Sequence, residues 1–193
     1  MAAPMFNDTS TPLSLLTTRR SGKPRDLVAP GPSPEQLEQM IAIAARTPDH
    51  GKLAPWRFVI VDDRAALATL ITDAYRAERP QAARTEIESL EQFAHQAPAL
   101  VVVLSSPSTT SHIPRWEQEL SAGAATMNLL HAAHAMGFAG GWLTGWPTFS
   151  DVVRDAFGGP HERIAGFVFL GTPGRPLDER PRPDLARVIS HWP

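Results

Sequence analysis

Apolar side chains recur every three or four positions in several parts of the chain, which is the spacing of one face of a helix. The clearest case is 33–46, where Ser33 suits an N-cap and Pro34 suits the first helical turn. Gly137 follows a longer periodic stretch and can end it. Further helices are predicted over 12–20, 64–94 with a break near Pro80, 115–136 and 150–157.

Compact runs of β-branched and aromatic residues predict strands. Helices interspersed with about four strands indicate an α/β or α+β fold, and 12–193 is expected to form one domain. Residues 1–11 are expected to be a flexible N-terminus. The five prolines in 172–193 argue against an interior strand and predict an arm that lies on another surface. The predicted strands are 56–61, 99–104, 138–144 and 164–170.

The composition is that of a globular protein, since 42% of the 193 residues are hydrophobic and 20% are charged. A formal net charge of -2 gives no sign of a nucleic-acid-binding surface. The apolar runs are too short for a membrane span, and the first ten residues do not have the pattern of a signal peptide. The absence of cysteine excludes disulfides and thiolate chemistry and favours a reducing compartment. We therefore expect a cytoplasmic protein that binds neither nucleic acid nor membrane.

A basic cluster ends the first predicted helix. Arg19, Arg20 and Ser21 can make charge-assisted hydrogen bonds with a phosphate group. Basic residues also complement the dipole at a helix C-terminus without any ligand. Taken alone, this cluster favours the second interpretation, a solvated helix end.

A polar loop joins a predicted helix to a buried strand at 46–52. Arg46, His50 and Lys52 can hold an anion or the polar edge of a ring system, and loops at the ends of helices and strands often carry function. The alternative is an exposed turn in which Asp49 pairs with Lys52. The density of donors makes the first interpretation the more attractive.

Two glycine-containing segments would allow another group to approach the backbone closely. Gly123, inside the small-residue run 121–125 of the longest helix, costs roughly 1 kcal/mol against alanine, so a neighbouring helix or a flat ring is expected there. The run 140–146, G-G-W-L-T-G-W, offers backbone amides and two flat tryptophan walls for a planar ligand. The alternative for Gly123 is that it only packs against another helix. The alternative for 140–146 is a tightly turned strand whose tryptophans only pack.

The usual sequence templates of nucleophilic and metal enzymes do not occur in this chain. It has no G-x-S-x-G elbow, no G-x-x-x-x-G-K-[ST] phosphate loop and no H-E-x-x-H. His131 and His134 are three apart without a third ligand in range, so no metal site is expected.

Taken together, five segments resemble the nitroreductase family and, within it, the small YdjA-like branch. The resemblance extends over about 13–173, and the P-D-H-x-x-x-x-P-W and P-R-W-E-Q-E-x-S-A-G patterns are specific to that branch. The segments are Arg19-Arg20-Ser21, the run A-x-R-T-P-D-H-G-K-L-A-P-W-R-F ending at Phe58, P-R-W-E-Q-E-L-S-A-G from Pro114, G-G-W-L-T-G from Gly140 and G-F-V-F-L-G-T-P from Gly166.

The resemblance implies an α+β fold with a central, mostly antiparallel sheet of four to five strands flanked by helices, in an intertwined homodimer that shares two FMN molecules. It implies hydride transfer from NADH or NADPH through flavin N5 to a small acceptor such as a nitroaromatic or a quinone, with ping-pong kinetics. The flavin carries this chemistry, so no catalytic side chain is expected.

The resemblance also assigns site residues. FMN contacts fall on Arg19, Arg20 and Ser21 of one subunit, on Arg46 and His50 of the partner, and on Trp142, Leu143 and Thr144 of the late strand. The nicotinamide and substrate side falls on Ser121, Ala122, Gly123, Ala124, Ala125 and Thr126.

One position departs from the family pattern, which is usually W-R-[ST]-G. Leu143 stands where the family carries arginine, so that polar contact is missing. Two other functions stay open from the sequence. One is a flavin-binding protein with a specialised role or no reductase role, and the other is a cofactor-free helical interaction module whose tryptophans and glycines only pack.

Overall fold

A computed structural model describes residues 6–193 of the chain, so residues 1–5 of the predicted N-terminal segment lie outside the described residues. The helices are α1 (Pro12–Thr18), α2 (Pro34–Ala44), α3 (Arg64–Glu78), α4 (Arg84–Ala94), α5 (Arg115–Ala135), α6 (Trp146–Phe149) and α7 (Asp151–Phe157). The strands are β1 (Leu27–Val28), β2 (Trp56–Ile60), β3 (Ala99–Ser105), β4 (Ala139–Leu143) and β5 (Arg163–Pro173).

The strands form one antiparallel sheet around β5. Its residues pair with β1, β3 and β4, and β3 pairs in turn with β2. Helices pack on both faces, so the predicted sheet of four to five strands flanked by helices is confirmed. Two short elements, β1 and α6, were not predicted, because a strand of two residues and a helix of four carry no periodic signal.

Local signals set the helix ends as the sequence predicts. Ser33 Oγ accepts a hydrogen bond from the Gln36 amide at 3.2 Å, and Gln36 Oε1 accepts one from the Ser33 amide at 2.9 Å, which forms a capping box at the start of α2. Gly137 follows α5 with φ of +86°, a left-handed conformation that ends a helix. The break near Pro80 separates α3 from α4.

Alternating side chains of β3 build the core on the two faces of the sheet. Leu100, Val102 and Leu104 pack with buried residues of α3, α4 and α7. Val101 and Val103 face the opposite side and pack with α2 and α5. Because the strand period is two, this one buried strand supplies both hydrophobic layers.

The corner between α4 and β3 is held by a half-buried cation. Arg64 donates hydrogen bonds to the main-chain carbonyls of Ala94 at 2.6 Å and Ala97 at 3.3 Å, and also to the carbonyl of Gln96. Burial lowers the pKa of Arg64 to about 10. These carbonyls belong to the last residue of α4 and to the turn after it, so the guanidinium supplies partners that the helix itself cannot.

The chain after β5 is the tail, residues 174–193. It contains a single 3₁₀ turn at Leu185–Arg187, and nearly all of its residues are exposed. Its first part returns to the start of the fold, where the Gly174 amide donates to the Asp26 carbonyl at 2.8 Å and Arg20 Nε donates to the Asp178 carbonyl at 2.6 Å. At the other end of the chain, Asn7 exchanges hydrogen bonds with the Arg20 backbone.

No helix within residues 6–193 combines the length and the apolar character needed to cross a membrane.

A histidine lies fully buried near the end of α5. Neither ring nitrogen of His134 has a hydrogen-bond partner among the described residues, and its side chain has no exposed surface. Burial lowers the pKa of His134 to about 4, with smaller contributions from the charges of Arg19 and His131. The ring is therefore neutral in the folded protein at neutral pH.

This buried ring predicts a loss of stability in acid. In the unfolded chain the pKa of a histidine is about 6.5, so between pH 6.5 and pH 4 the unfolded state binds a proton that the folded state does not. We expect His134 to lower the free energy of unfolding by about 3 kcal/mol between pH 7 and pH 4. Measured by urea unfolding over this range, the free energy of unfolding of His134→Leu should fall by about 3 kcal/mol less than that of the wild type. The exposed His191→Leu serves as the control, and parallel curves for His134→Leu and the wild type would contradict the prediction.

Candidate functional site

A cleft of about 620 Å³ lies beside β4, and we call it the cationic cleft. Its walls come from the segment between α1 and β1, from the exposed end of β4, from α5, from the corner before β3 and from the tail. The lining residues are Arg19, Arg20, Ser21, Gly22, Lys23, Pro24, Arg25, Gln96, Met127, Leu130, Gly141, Trp142, Leu143 and Arg180.

Glycine pairing closes the floor of the cleft. The Gly22 amide donates to the Gly140 carbonyl at 3.1 Å. A Cβ atom on Gly141 would lie 2.7 Å from the Gly22 carbonyl oxygen and 2.9 Å from the Pro24 ring. The sequence predicted that a ligand approaches the G-G pair, but the structure places the chain's own 19–25 segment against Gly141. This packing brings Arg19, Arg20 and Ser21 into the same cleft as Trp142.

Trp142 forms a flat wall of the cleft. Its Nε1 donates to the Ala165 carbonyl at 3.0 Å, and the ring lies over Gly166, where any side chain would collide with it. The ring remains 38% exposed. Leu143 is half-buried against the core layer of α3 and α4, whereas Thr144 is exposed and does not line the cleft. Position 143, where the family carries arginine, is thus an apolar part of the wall.

The cleft concentrates positive charge. Burial lowers the pKa of Arg19, and the neighbouring charges of Arg182 and Arg20 lower it further. Arg20 donates to the main-chain carbonyl of Asp178. Its charge also acts on the Glu179 carboxylate, whose pKa is lowered first by a hydrogen bond from the Arg180 amide and further by Arg182 and Arg20. Lys23 lies 3.7 Å from the Asp178 carboxylate in an exposed pair, which contributes little. Like charges held together at a half-buried site favour the binding of an anion.

Several polar or charged cleft residues were not assigned from the sequence, among them Arg25, Gln96 and Arg180. Arg180 comes from the tail, and Arg25 follows the basic cluster that the sequence analysis singled out. Gln96 precedes Ala97, which has a left-handed φ of +55°, and the Arg64 contacts to this corner hold the turn in place. In the sequence, only the positive charge of Arg25 and Arg180 indicated that they could line an anion site. Gln96 lines the cleft because of a turn that composition does not reveal.

A second group of predicted residues lies apart from the cleft. Arg46 and His50 are exposed and do not line it. His50 instead meets α5, where its Nδ1 lies 2.9 Å from Glu117 Oε2. One chain therefore divides the predicted FMN contacts between two surfaces.

An open groove of about 480 Å³ runs along α5 between these two surfaces. It starts at Thr47 and Pro48 and continues over Leu120, Ser121, Ala124 and Asn128 to Met127. Met127 also lines the cationic cleft, so the two surfaces meet at this side chain.

The predicted nicotinamide and substrate residues of α5 separate into two sets. Ala122, Ala125 and Thr126 are fully buried, and the two alanines pack against Trp56 of β2. They present no surface to a ligand, because residues three or four apart on a helix share one face and this face points into the core. Of the predicted residues, only Ser121, Gly123 and Ala124 have surface that a ligand can reach. A Cβ atom at Gly123 would meet nothing within 4 Å, so the space beside it is open.

Among residues 6–193, no three histidine, aspartate or glutamate side chains are grouped so that they can hold a metal ion.

Three comparisons with known proteins bear on this site. A model of the nitroreductase family matches residues 16–172. A protein of Escherichia coli K12 named "Putative NAD(P)H nitroreductase YdjA" is 38% identical over 165 residues, which are 83% of this chain and 87% of that protein. A nitroreductase-like family protein from Bacillus cereus has a TM-score of 0.76 at 18% identity and covers 99% of both chains.

A further solved structure is similar in fold and contains a flavin. It is the oxidized form of iodotyrosine deiodinase bound to FMN and 3-iodo-L-tyrosine. Its TM-score is 0.67 at 21% sequence identity, and the alignment covers 94% of this chain and 98% of the deiodinase chain.

Proposed function

The chain belongs to the nitroreductase family, and on that premise we propose that it is an FMN-dependent oxidoreductase that passes electrons from NADH or NADPH to a small acceptor such as a nitroaromatic or a quinone. The name of the Escherichia coli relative supports the nicotinamide as electron donor. The FMN bound to iodotyrosine deiodinase supports the cofactor. The observation that carries the proposal is the cationic cleft, which is lined by arginines and by Trp142.

The residues of the cleft fit FMN in charge, shape and volume. A phosphate dianion matches Arg19, Arg20 and Arg180, whose guanidinium groups give paired donors in one plane. Trp142 offers a flat apolar surface to a ring system. A cavity of about 620 Å³ lies in the range used by cofactor-sized ligands.

We assign the following roles to the chain's own residues. Arg19 and Arg20 neutralise the phosphate, and Ser21, whose Oγ accepts from Arg19 at 3.2 Å, adds a hydroxyl beside it. Trp142 and Leu143 exclude water from one side of the ring, which strengthens the polar contacts around it. When bound, FMN would supply the redox chemistry between the nicotinamide and the acceptor, and the residues named here would bind and orient it.

The exposed part of α5 is the surface we assign to the nicotinamide and the acceptor. Ser121, Gly123 and Ala124 have small side chains, so a flat ring can approach the helix closely there. The groove that contains Ser121 and Ala124 meets the cationic cleft at Met127, so this surface adjoins the proposed flavin site.

We propose that two copies of the chain complete each site. Arg46 and His50 do not line the cleft of their own chain, so a contact with FMN requires a second copy. Large apolar side chains are exposed on the elements that would meet this copy, and covering them removes apolar surface from water. They are Leu13 and Leu16 of α1, Trp116 and Leu120 of α5, and Leu185, Val188, Ile189 and Trp192 of the tail.

The proposed function is tested by the absorbance spectrum of the purified protein during anaerobic addition of NADPH or NADH. We expect a yellow protein with a flavin spectrum that bleaches with one of the two nicotinamides and recovers when a nitroaromatic or a quinone is added. A colourless protein that does not take up added FMN would refute the cofactor and favour an interaction module. A flavin that neither nicotinamide reduces would favour a specialised flavin-binding role.

Arg20→Ala tests the phosphate contact. Because a hydrogen bond to a charged group contributes roughly 1.5 to 3 kcal/mol, FMN affinity should fall by about tenfold to a hundredfold. Fluorescence titration of the apoprotein measures this change. Arg84→Ala removes an exposed arginine of α4, paired with Glu88, and is the matched control. If Arg20→Ala binds FMN as tightly as the control, the basic cluster is only a helix end.

Leu120→Arg tests the dimer. Light scattering of the wild type should give twice the 21.0 kDa mass of the chain, since a shared site needs an obligate interface of about 2,000 Å² or more. A charge at Leu120, which is exposed in the groove, should shift the protein toward monomer and release FMN in parallel. Val152→Arg places the same charge on exposed α7 and should leave the mass unchanged. A monomer that retains FMN would contradict the shared site.

A further inference from the structure

We propose that Glu117 is a positioning residue that holds the His50 imidazole for its contact with the FMN bound in the cleft of the second copy. This inference rests on the proposed function and deepens it. It concerns the His50 loop, which we define as residues 49–54, and the first turn of α5.

The contact joins two parts of the chain that are distant in sequence. His50 Nδ1 lies 2.9 Å from Glu117 Oε2 across 67 residues. An ionised carboxylate only accepts hydrogen bonds, so Nδ1 carries the hydrogen and the tautomer of the ring is determined. Nε2 is then the nitrogen left to meet a ligand. In the imidazolium form Nε2 also carries a hydrogen and can donate a hydrogen bond to a negatively charged group.

The His50 loop has an uncommon backbone conformation, with several residues in the left-handed region of φ. Gly51, Lys52 and Ala54 all have left-handed φ values, of +81°, +57° and +46°. The Asp49 carboxylate stabilises this shape by accepting hydrogen bonds from the Leu53 amide at 2.5 Å and the Ala54 amide at 3.1 Å. Non-glycine residues persist in this region of φ only where the surroundings determine the backbone, which is common at functional sites.

The loop is also docked against the approach to α5. Gly51 lies so close to the buried side chain of Ile113 that a Cβ atom would collide with it. Gln118 of α5 donates to the Ile113 carbonyl at 3.0 Å, which ties this support to the helix that carries Glu117. The backbone under His50 is therefore held from the α5 side, while the His50 side chain remains 65% exposed.

Folding stability does not account for the pair. A hydrogen bond from an imidazole that is 65% exposed contributes little to stability, so it does not compensate a loop with two non-glycine residues in the left-handed region. Glu119, two residues further along α5, makes an ordinary pair with Arg115 of the same helix at 2.7 Å. Its side chain is 36% exposed, against 31% for Glu117, so Glu119 is a matched control with the same charge and helix but no contact with the loop.

The experiment measures the midpoint potential of the bound flavin in the dimeric holoprotein. The variants are Glu117→Ala, Glu117→Gln, His50→Gln, the double variant Glu117→Ala/His50→Gln, and Glu119→Ala. A donor near the flavin favours the reduced form, whose charge is more negative. Loss of a tenfold preference for the reduced form lowers a two-electron potential by about 30 mV.

We expect Glu117→Ala and His50→Gln each to lower the potential by about 30 mV or more, and the double variant to lower it no further. Glu117→Gln keeps an oxygen acceptor for Nδ1, so its flavin potential should lie between those of Glu117→Ala and the wild type. Glu119→Ala should match the wild type. The rate of flavin reduction by NADPH, followed by stopped flow, should change in the same order.

Three results would overturn the positioning role. They are additive shifts in the double variant, an unchanged potential in Glu117→Ala with FMN bound, and an equal shift in Glu119→Ala. If Glu117→Ala does not fold, Glu117→Gln and its double variant with His50→Gln give the same comparison. A wild-type protein that binds no FMN refutes the proposed function itself, which is a different observation from a flavin whose potential does not respond to Glu117.

Discussion

Pairing of β5 with three other strands is the interaction on which the rest of the structure depends. β3 pairs with residues 163–170 of β5 and β4 with residues 167–171, so the two strands flank it on opposite edges, and β1 pairs at its end. The strand thus holds together pieces of chain from residue 27 to residue 173. Burial on both faces gives it the apolar run Phe167 to Leu170. Both helical layers pack on the sheet that β5 organises, and the edge formed by β4 is where the candidate site lies.

The site combines small residues with a concentration of charge. Gly141 lets the 19–25 segment reach β4, and the same approach brings several cations into one cleft. Holding these cations together costs free energy in the ligand-free chain, and an anion that binds between them offsets this cost. The tail reinforces the arrangement, because Arg180 reaches the cleft from the far end of the sequence. Binding of an anionic cofactor and packing of the tail are therefore expected to support each other.

A single chain leaves the proposed site divided between the cleft and the His50 loop. The groove along α5 separates the two surfaces and carries exposed Leu120 and small Ala124. In the proposed dimer, symmetry would bring the loop of one chain to the cleft of the other. Under this arrangement, removal of apolar surface from water and completion of the cofactor site would be one event.

Periodicity, capping residues and ordered motifs in the sequence by themselves determined the main helices and strands, the family and the basic cluster at Arg19 and Arg20. These features are local, since a strand of period two or a capped helix is encoded within a few turns of chain. Tertiary structure alone decided which face of α5 is buried, with Ala122 and Thr126 inside and Ser121 at the surface. It also decided that Arg180 lines the cleft and that Glu117 holds His50 across 67 residues. The physical reason is that these contacts join segments whose separation along the chain is large, and their distance in space follows from sheet pairing and packing rather than from any local preference.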